Sequence, residues 1–199
     1  MSGTVQEIDE GKRAFLNLGA IVGVAALAAG GCTAMGEQKT AAVKTFPDKP
    51  QGKPGDFDFL QGDWKIANRQ RKASGEWIEF AGESTCRTIL KGVCSIEELR
   101  IPVNDFSGMG LRTLDIENKV WSDIWMNAKS GVVFAPGVPG YFENGAGIFD
   151  AEDVENGKPV IYRGIWDNIT RDSCRWRQGT SRDGGNTFDY TWIMEWTRA

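Results

Sequence analysis

The feature that most constrains the fold is an alternation of apolar and polar side chains near the C-terminus. In residues 188–196, FDYTWIMEW, every second side chain is large and apolar, and Asp189, Thr191 and Glu195 lie on the other face. Alternation with period two is typical of a strand that buries one face. We therefore predict a strand whose apolar face, including Tyr190 and Trp192, points into the protein.

The same pattern occurs in residues 173–178, where Cys174, Trp176 and Gln178 share one face and Ser173, Arg175 and Arg177 share the other. The first face is predicted to point inward. Gln178 is the exception on it, because a buried amide needs hydrogen-bond partners. It either bonds a neighbouring backbone group or Arg163, or it orients a ligand.

Turn-forming residues interrupt the chain at short intervals. Asn, Asp and Gly allow the positive φ angles of tight hairpins. The breaks are Ser74-Gly75, Lys91-Gly92, Glu117-Asn118, Asn144-Gly145, Asn156-Gly157 and Asp183-Gly184-Gly185. They delimit about nine or ten strands with little helical periodicity. Since a long antiparallel meander must close or leave exposed edges, we predict an all-β, closed β-barrel.

The N-terminal segment differs from the rest of the chain. Lys12 and Arg13 precede an uncharged apolar run over residues 14–31, which ends in small residues before Cys32. This resembles a bacterial lipoprotein signal, although Ala29 replaces the usual leucine, and GKRAFLN at 11–17 resembles a twin-arginine export motif. The alternative is an ordinary secretory signal or an uncleaved anchor. We expect export to the periplasm or cell envelope, with membrane tethering at Cys32.

Residues 32–55 are polar, contain three prolines and show no periodicity. Such a composition is typical of a flexible tether. The predicted organisation is an export signal or anchor over 1–31, a tether over 32–55 and a single barrel domain over 56–199.

Composition narrows the chemistry. The chain of 199 residues has 8 Trp, no His and a net charge of −4. A chain with this mildly acidic net charge is not expected to bind nucleic acid, which requires a basic surface. The absence of His removes the commonest metal and haem ligand, and no cysteine spacing resembles a zinc site. We predict no metal and no cofactor.

Two motifs carry a resemblance to known families. Gly62-Asp63-Trp64 on the first strand and Arg198 on the last resemble the barrel closure of lipocalins and other calycins, in which a basic residue packs over the tryptophan. The segments FDFLQGDW, YFENGAGIF and the run from Ile165 to Arg198 resemble the bacterial family called domain of unknown function 1579. This resemblance implies a calycin-like barrel and supplies no reaction.

Other strands contain charged residues whose direction the pattern leaves open. Arg163 and Asp167 form a structural pair, or Arg163 points inward to bind a carboxylate or phenolate. Asp123 shares a face with Trp121 and Trp125. It lies on the surface, or it lies between two indoles, where burial raises the pKa of a carboxyl and suits it to acid–base catalysis.

Three cysteines lie in the barrel domain, so at most one disulfide can form there. A two-residue turn at Lys91-Gly92 places Ile89 opposite Cys94. Cys86 is then on the other face, and we predict no bond between Cys86 and Cys94.

Three function classes follow. The first is an envelope-tethered barrel that binds a small apolar or aromatic molecule in an indole-lined cavity. Its candidate ligand-binding residues are Trp125, Arg163, Trp166, Trp176, Gln178, Tyr190 and Trp192. The second is an enzyme acting on an aromatic or terpenoid substrate in the same cavity, with Asp123, Asp167 or Glu195 as acid or base. The third is a structural envelope protein whose barrel is filled by its tryptophans.

Overall fold

The computed structural model describes residues 44–133 and 135–199. The predicted export signal over 1–31, the proposed lipidation site Cys32 and residues 32–43 of the predicted tether lie outside the described residues. Within the described ranges, no helix has the length and apolar character needed to cross a bilayer.

The described residues form a single closed sheet. Its strands are β1 (Gly62–Arg71), β2 (Trp77–Ile89), β3 (Cys94–Ile101), β4 (Phe106–Asp115), β5 (Val120–Asn127), β6 (Val138–Glu143), β7 (Ala146–Glu155), β8 (Lys158–Asp167), β9 (Ser173–Ser181) and β10 (Asp189–Arg198). Each strand pairs antiparallel with its neighbours in sequence, and β1 also pairs with β10. This confirms the predicted all-β barrel built from a closed meander.

The predicted turns lie between strands. The hairpins β6–β7 and β7–β8 turn at Asn144-Gly145 and Asn156-Gly157, and all four residues have positive φ. This conformation suits Asn and Gly and matches the twist of the flanking strands. Three connections were not among the predicted breaks: the 3₁₀ turn Pro102–Asn104 and the segments 128–137 and 168–172.

One end of the barrel is closed by the chain that precedes β1. We call it the sealed end. A 3₁₀ turn over Asp58–Leu60 covers it, and Phe57 inserts its ring among others, with centroids 4.9 Å from Trp121 and 5.0 Å from Phe142. Edge-to-face contacts of this kind add to the stability gained from burying the rings.

The contact predicted between Trp64 and Arg198 is present at the sealed end. The Arg198 guanidinium carbon lies 4.1 Å from the centroid of the Trp64 ring, and the Trp64 indole N–H donates to the Leu60 carbonyl at 2.7 Å. Arg198 also donates to the carbonyls of Phe59 and Arg171 at 3.0 and 3.1 Å. The arginine therefore ties the last strand to the covering turn.

Residues 44–55, which the sequence analysis placed in the tether, contact the outside of the barrel. We call this segment the strap. Ion pairs and backbone hydrogen bonds hold it over its whole length. They join Lys44 to Glu152, Lys49 to Glu143, Gly52 to Lys119 and Gly55 to Gly92.

Candidate functional site

The interior of the barrel is partly polar. Among the inward-facing side chains, several polar or charged ones are at least nine-tenths buried. These are Asn68, Gln70, Ser84, Glu97, Arg112, Asn127 and Gln178. Burying so many polar side chains is stable only if they form hydrogen bonds or ion pairs inside the protein.

A charged cluster lies on three adjacent strands towards the sealed end. Arg112 of β4 donates a hydrogen bond to the Glu97 carboxylate of β3, and its Nε lies 3.3 Å from Oδ1 of Asp123 on β5. We call these three residues the floor cluster. A side chain at Gly110 would place its Cβ 2.9 Å from both Arg112 Nη2 and Glu97 Oε2. The missing side chain at Gly110 therefore makes room for the Glu97–Arg112 ion pair.

Aromatic rings enclose the guanidinium of the floor cluster. Its central carbon lies 5.6 Å from the Phe57 ring and 5.2 Å from the Trp166 ring. Nη1 has no hydrogen-bond acceptor within the described ranges, and these ring faces provide its electrostatic contacts.

The floor cluster keeps its arginine charged. Burial lowers the pKa of Arg112, but the carboxylates of Glu97 and Asp123 more than offset burial, so this pKa is raised above its ordinary value. Asp123 points inward, which resolves the alternatives that the sequence left open. Its carboxylate is engaged in an ion pair, an arrangement that suits a structural or orienting role.

Two buried thiols lie in the same part of the interior. Burial and the nearby Glu97 carboxylate raise the pKa of Cys86 to about 12, and burial also raises the pKa of Cys174. A neutral, enclosed thiol is a poor nucleophile. Cys86, Cys94 and Cys174 are all free, and Ile89 pairs with Cys94 as predicted.

The opposite half of the interior combines rings with amides. The rings of Trp176 and Trp192 meet edge to face at 5.8 Å, and the Trp192 indole N–H donates to Asn68 Oδ1 at 3.1 Å. Gln178 is paired in register with Trp192. Trp176, Gln178 and Trp192 therefore lie inside the barrel, on the face that the sequence pattern indicated.

Exposure separates the two halves of the interior. At the sealed end Trp64, Trp121 and Phe57 are at most 1% exposed. Towards the other end, which we call the mouth, several inward-facing side chains keep between 5% and 9% exposure. They are Gln70, Phe106, Trp125, Ala151, Tyr162, Trp176 and Gln178. Other inward-facing side chains in this half, Ile101 and Trp192 among them, are at most 1% exposed, so the difference between the halves is one of degree.

Tyr190 does not belong to the interior, because β10 contains an irregularity. The register between β9 and β10 shifts between Tyr190 and Trp192, as in a β-bulge. One extra residue inverts the alternation, so the prediction that Tyr190 faces inward was wrong. Its ring lies on the outer face, 4.2 Å from the Arg177 guanidinium carbon.

Arg163 also lies on the outer face. It donates two hydrogen bonds of 2.7 Å to Asp150, and its guanidinium carbon lies 3.8 Å from the Phe188 ring centroid. The structure therefore supports neither an inward Arg163 nor a contact with Gln178.

Two candidate catalytic carboxylates are likewise outside. Asp167 accepts hydrogen bonds from Arg175 and Arg177, and Glu195 is exposed, 3.9 Å from Arg175. They cannot act on a molecule held in the interior. Of the three candidate acids or bases, only Asp123 shares that space.

The remaining candidates divide between the two halves of the interior. Trp125 stacks on Phe106 with ring centroids 6.4 Å apart near the mouth, whereas Trp166 contacts Trp196 at 5.2 Å beside the floor cluster. Trp166 is 1% exposed and is thus packed at the sealed end, beside the floor cluster.

Sequence reasoning missed Glu97, Arg112 and Asn68. For two of them the sequence contained a signal of an inward direction. Glu97 lies on the same strand face as Leu99 and Ile101, and Arg112 lies on the same face as Gly108, Gly110 and Leu114. Among the described residues, no cluster of Cys, Asp and Glu is arranged to hold a metal ion.

Comparisons with known proteins give similar solved structures but no matching family or curated protein. No family model matches the chain, and no curated protein matches it. The resemblance to domain of unknown function 1579 thus stays a prediction from the sequence.

Three solved structures are similar to this chain at low identity. Rv2717c from M. tuberculosis is 10% identical, with a TM-score of 0.44 and coverage of 71% of this chain and 93% of that chain. A protein of unknown function from the DUF3598 family of Nostoc punctiforme is 9% identical, with a TM-score of 0.41 and coverage of 77% and 53%. The S-type phycobiliprotein lyase CPES from Guillardia theta is 8% identical, with a TM-score of 0.44 and coverage of 72% and 90%. At these values the likeness concerns the architecture alone.

Proposed function

We propose that the barrel binds one small apolar or aromatic molecule in the half of its interior nearer the mouth. The observation that carries this proposal is the residual exposure of the ring and amide side chains there. Ligand sites are typically concave and apolar with a few placed polar groups, and this half combines indoles with Asn68 and Gln178.

The two halves of the interior would have different roles in binding. Trp125 and Trp176 offer ring faces for stacking, and Gln178 offers a polar group to orient the ligand. The floor cluster and the rings around it define how deeply the ligand enters.

The geometry favours binding over acid–base catalysis. Asp167 and Glu195 are outside, and Asp123 is paired with an arginine whose pKa is raised. A general acid or base must be within hydrogen-bond reach of the proton it transfers, and the Asp123 carboxylate already has a charged partner.

A binding titration tests the proposal. The probe is 1-anilinonaphthalene-8-sulfonate, whose emission rises in an apolar site. The matched variants are Ala151→Phe, which adds a ring inside the mouth, and Ala81→Phe, which adds the same ring on the exposed outer face of β2. We expect Ala151→Phe to abolish one saturable site and Ala81→Phe to preserve it. Equal binding by both variants would contradict an interior site.

Gln178→Leu tests the polar contact separately. If the amide binds the probe, affinity should fall by about 1 to 3 kcal/mol. Arg163→Met is the control, because its side chain lies on the outer face. Loss of affinity in the control alone would place the site outside the barrel.

We also propose that the barrel is tethered to a membrane of the cell envelope through a lipid on Cys32. The support is the basic, apolar and small-residue order of residues 12–32. Cys32→Ala should move the protein from the membrane fraction to the soluble fraction, and Cys94→Ala is the control for loss of a thiol. Unchanged membrane association of Cys32→Ala would favour an uncleaved anchor.

A further inference from the structure

Of the eight large hydrophobic side chains that are clearly exposed in the described part of the chain, five lie at the mouth and three, Ile89, Leu90 and Ile116, at the sealed end. Each of the five strand connections at this end lies between an odd-numbered strand and the next one. Four of them have a large hydrophobic side chain that is at least 38% exposed, within the connection or close to it. These side chains are Trp77, Val103, Val132, Val133 and Val154. We call them the rim set.

The rim set is spread around the mouth. Val103 is 72% exposed in the 3₁₀ turn between β3 and β4, and Val133 is 49% exposed between β5 and β6. Because the barrel is closed in sequence order, these connections follow one another around a single end. Scattered exposed hydrophobics are ordinary, so what distinguishes the mouth is that four of its five connections carry one and that Trp77 is among them.

Trp77 has the surroundings of an interfacial aromatic residue. Its ring lies 5.3 Å from the guanidinium carbon of Arg69 and 5.8 Å from that of Arg71. Tryptophan with flanking arginines is enriched where a protein meets lipid headgroups, because the ring is amphipathic and the arginines keep their charges in water.

The position of the strap makes a bilayer geometrically accessible to the mouth. The first described residue, Lys44, pairs with Glu152, which lies three residues before the end of β7 at the mouth, roughly 10 Å below it. The eleven residues from 33 to 43 can extend at most roughly 36 to 40 Å. A lipid on Cys32 could thus reach the plane of the rim set.

We propose that the rim set docks the mouth of the barrel onto a phospholipid bilayer, so that an apolar ligand passes between membrane and barrel without crossing water. This inference rests on the proposed function for its purpose. Its physical basis is independent: the exposed valines would transfer apolar surface from water to the acyl region of the bilayer.

A site-directed dye experiment tests the docking. Cys32→Ala is the background, and single cysteines introduced as Val103→Cys, Val133→Cys or Ile116→Cys are labelled with an environment-sensitive fluorophore. The three barrel cysteines are buried. The Cys32→Ala protein without an introduced cysteine is treated with the same dye, and its signal measures any reaction of the dye with these three thiols. Ile116 is the matched control, because it is 62% exposed at the sealed end. The full chain is used throughout, so residues 1–31 contribute equally to every sample.

With vesicles of phosphatidylethanolamine and phosphatidylglycerol, we expect blue-shifted emission at positions 103 and 133 and quenching there by lipids labelled in their acyl chains. Position 116 should stay unchanged. Equal responses at the two ends, or a response at 116 alone, would overturn the proposal. No response at any position would also overturn it, and would favour a protein as the partner of the rim set.

A second measurement separates docking from ligand binding. Val103→Asp with Val133→Asp should slow transfer of vesicle-dissolved 1-anilinonaphthalene-8-sulfonate into the barrel about tenfold for each valine, without changing its affinity in buffer. Loss of binding in buffer contradicts the proposed function. Unchanged transfer with intact binding contradicts the docking.

Discussion

The sealed end and the mouth of this barrel are built from the same strands but differ in what fills them. At the sealed end the covering turn, Phe57 and Trp64 leave almost no exposed surface, and Arg198 ties the turn to the last strand. In the half nearer the mouth, rings and amides face inward, and several of them keep 5% to 9% exposure. We therefore expect the sealed end to contribute more to stability than the mouth, where the proposed ligand would bind.

The largest expected effect comes from removing a ring at the sealed end. Trp64→Ala should lower the free energy of unfolding by about 3 to 5 kcal/mol, because it leaves a cavity in a packed region. Trp125→Ala near the mouth should cost less, because Trp125 is 7% exposed whereas Trp64 is 1% exposed. Urea unfolding of both variants measures the contrast. Equal losses would remove the distinction between the ends.

The second effect concerns the arginine that closes the barrel. Arg198→Ala should cost about 1.5 to 3 kcal/mol, since charged hydrogen bonds to backbone carbonyls are lost together with the Trp64 contact. Arg71→Ala is the matched control at the mouth, where the arginine pairs with Asp189 on the surface. We expect little change in the control, measured by the same denaturation.

The third effect is a pH dependence at the sealed end. The pKa of Cys86 is raised from 9.0 to about 12 by burial, so the folded state favours the neutral thiol. Stability from this group is complete below pH 9 and is lost as the pH rises towards about 12, by about 1.4 kcal/mol per pH unit. The difference between wild type and Cys86→Ala, measured by denaturation from pH 8 to 11, should show this slope. Parallel pH profiles would contradict it.

The smallest effect concerns backbone strain in the turn after β2. Leu90 has a φ of 54° and is 68% exposed, although bulky residues rarely adopt positive φ. Leu90→Gly should raise the unfolding free energy by about 0.5 to 1 kcal/mol. Val103→Gly in the 3₁₀ turn at the mouth should not, because its φ is not positive. A loss in Leu90→Gly would show that the leucine side chain makes a stabilising contact.

The sequence was sufficient for the barrel because its alternation and its turns report local physics. Asn144-Gly145 and Asn156-Gly157 need positive φ, and the alternating faces of β9 and β10 fix which side is buried. The closure at Trp64 and Arg198 followed from motif and position together.

The site was only partly predictable, because its geometry depends on events that a pattern does not record. A bulge inverts the direction of Tyr190, and the period-two pattern gives no sign of it. Asp123 is buried because Arg112 of the adjacent strand compensates its charge, and such a partner becomes visible only when the strands are in register. The strap resembles a tether in composition, since its contacts are with distant charges.

The pairing of β1 with β10 has a consequence for how the chain acquires its structure. Trp64 pairs with Arg198, 134 positions further along the chain, so the strand pair with the greatest sequence separation in the sheet forms only after the last residues have been synthesised. Until then both β1 and β9 present an unpaired edge, and closing so long a loop is slow because of its entropy. The same pairing places the two ends of the domain side by side. A circularly permuted chain that joins Ala199 to Gly55 through a linker, so that the covering turn is kept, and opens at Asn156-Gly157 should therefore fold to the same barrel, with the long-range closure moved from β1–β10 to β7–β8.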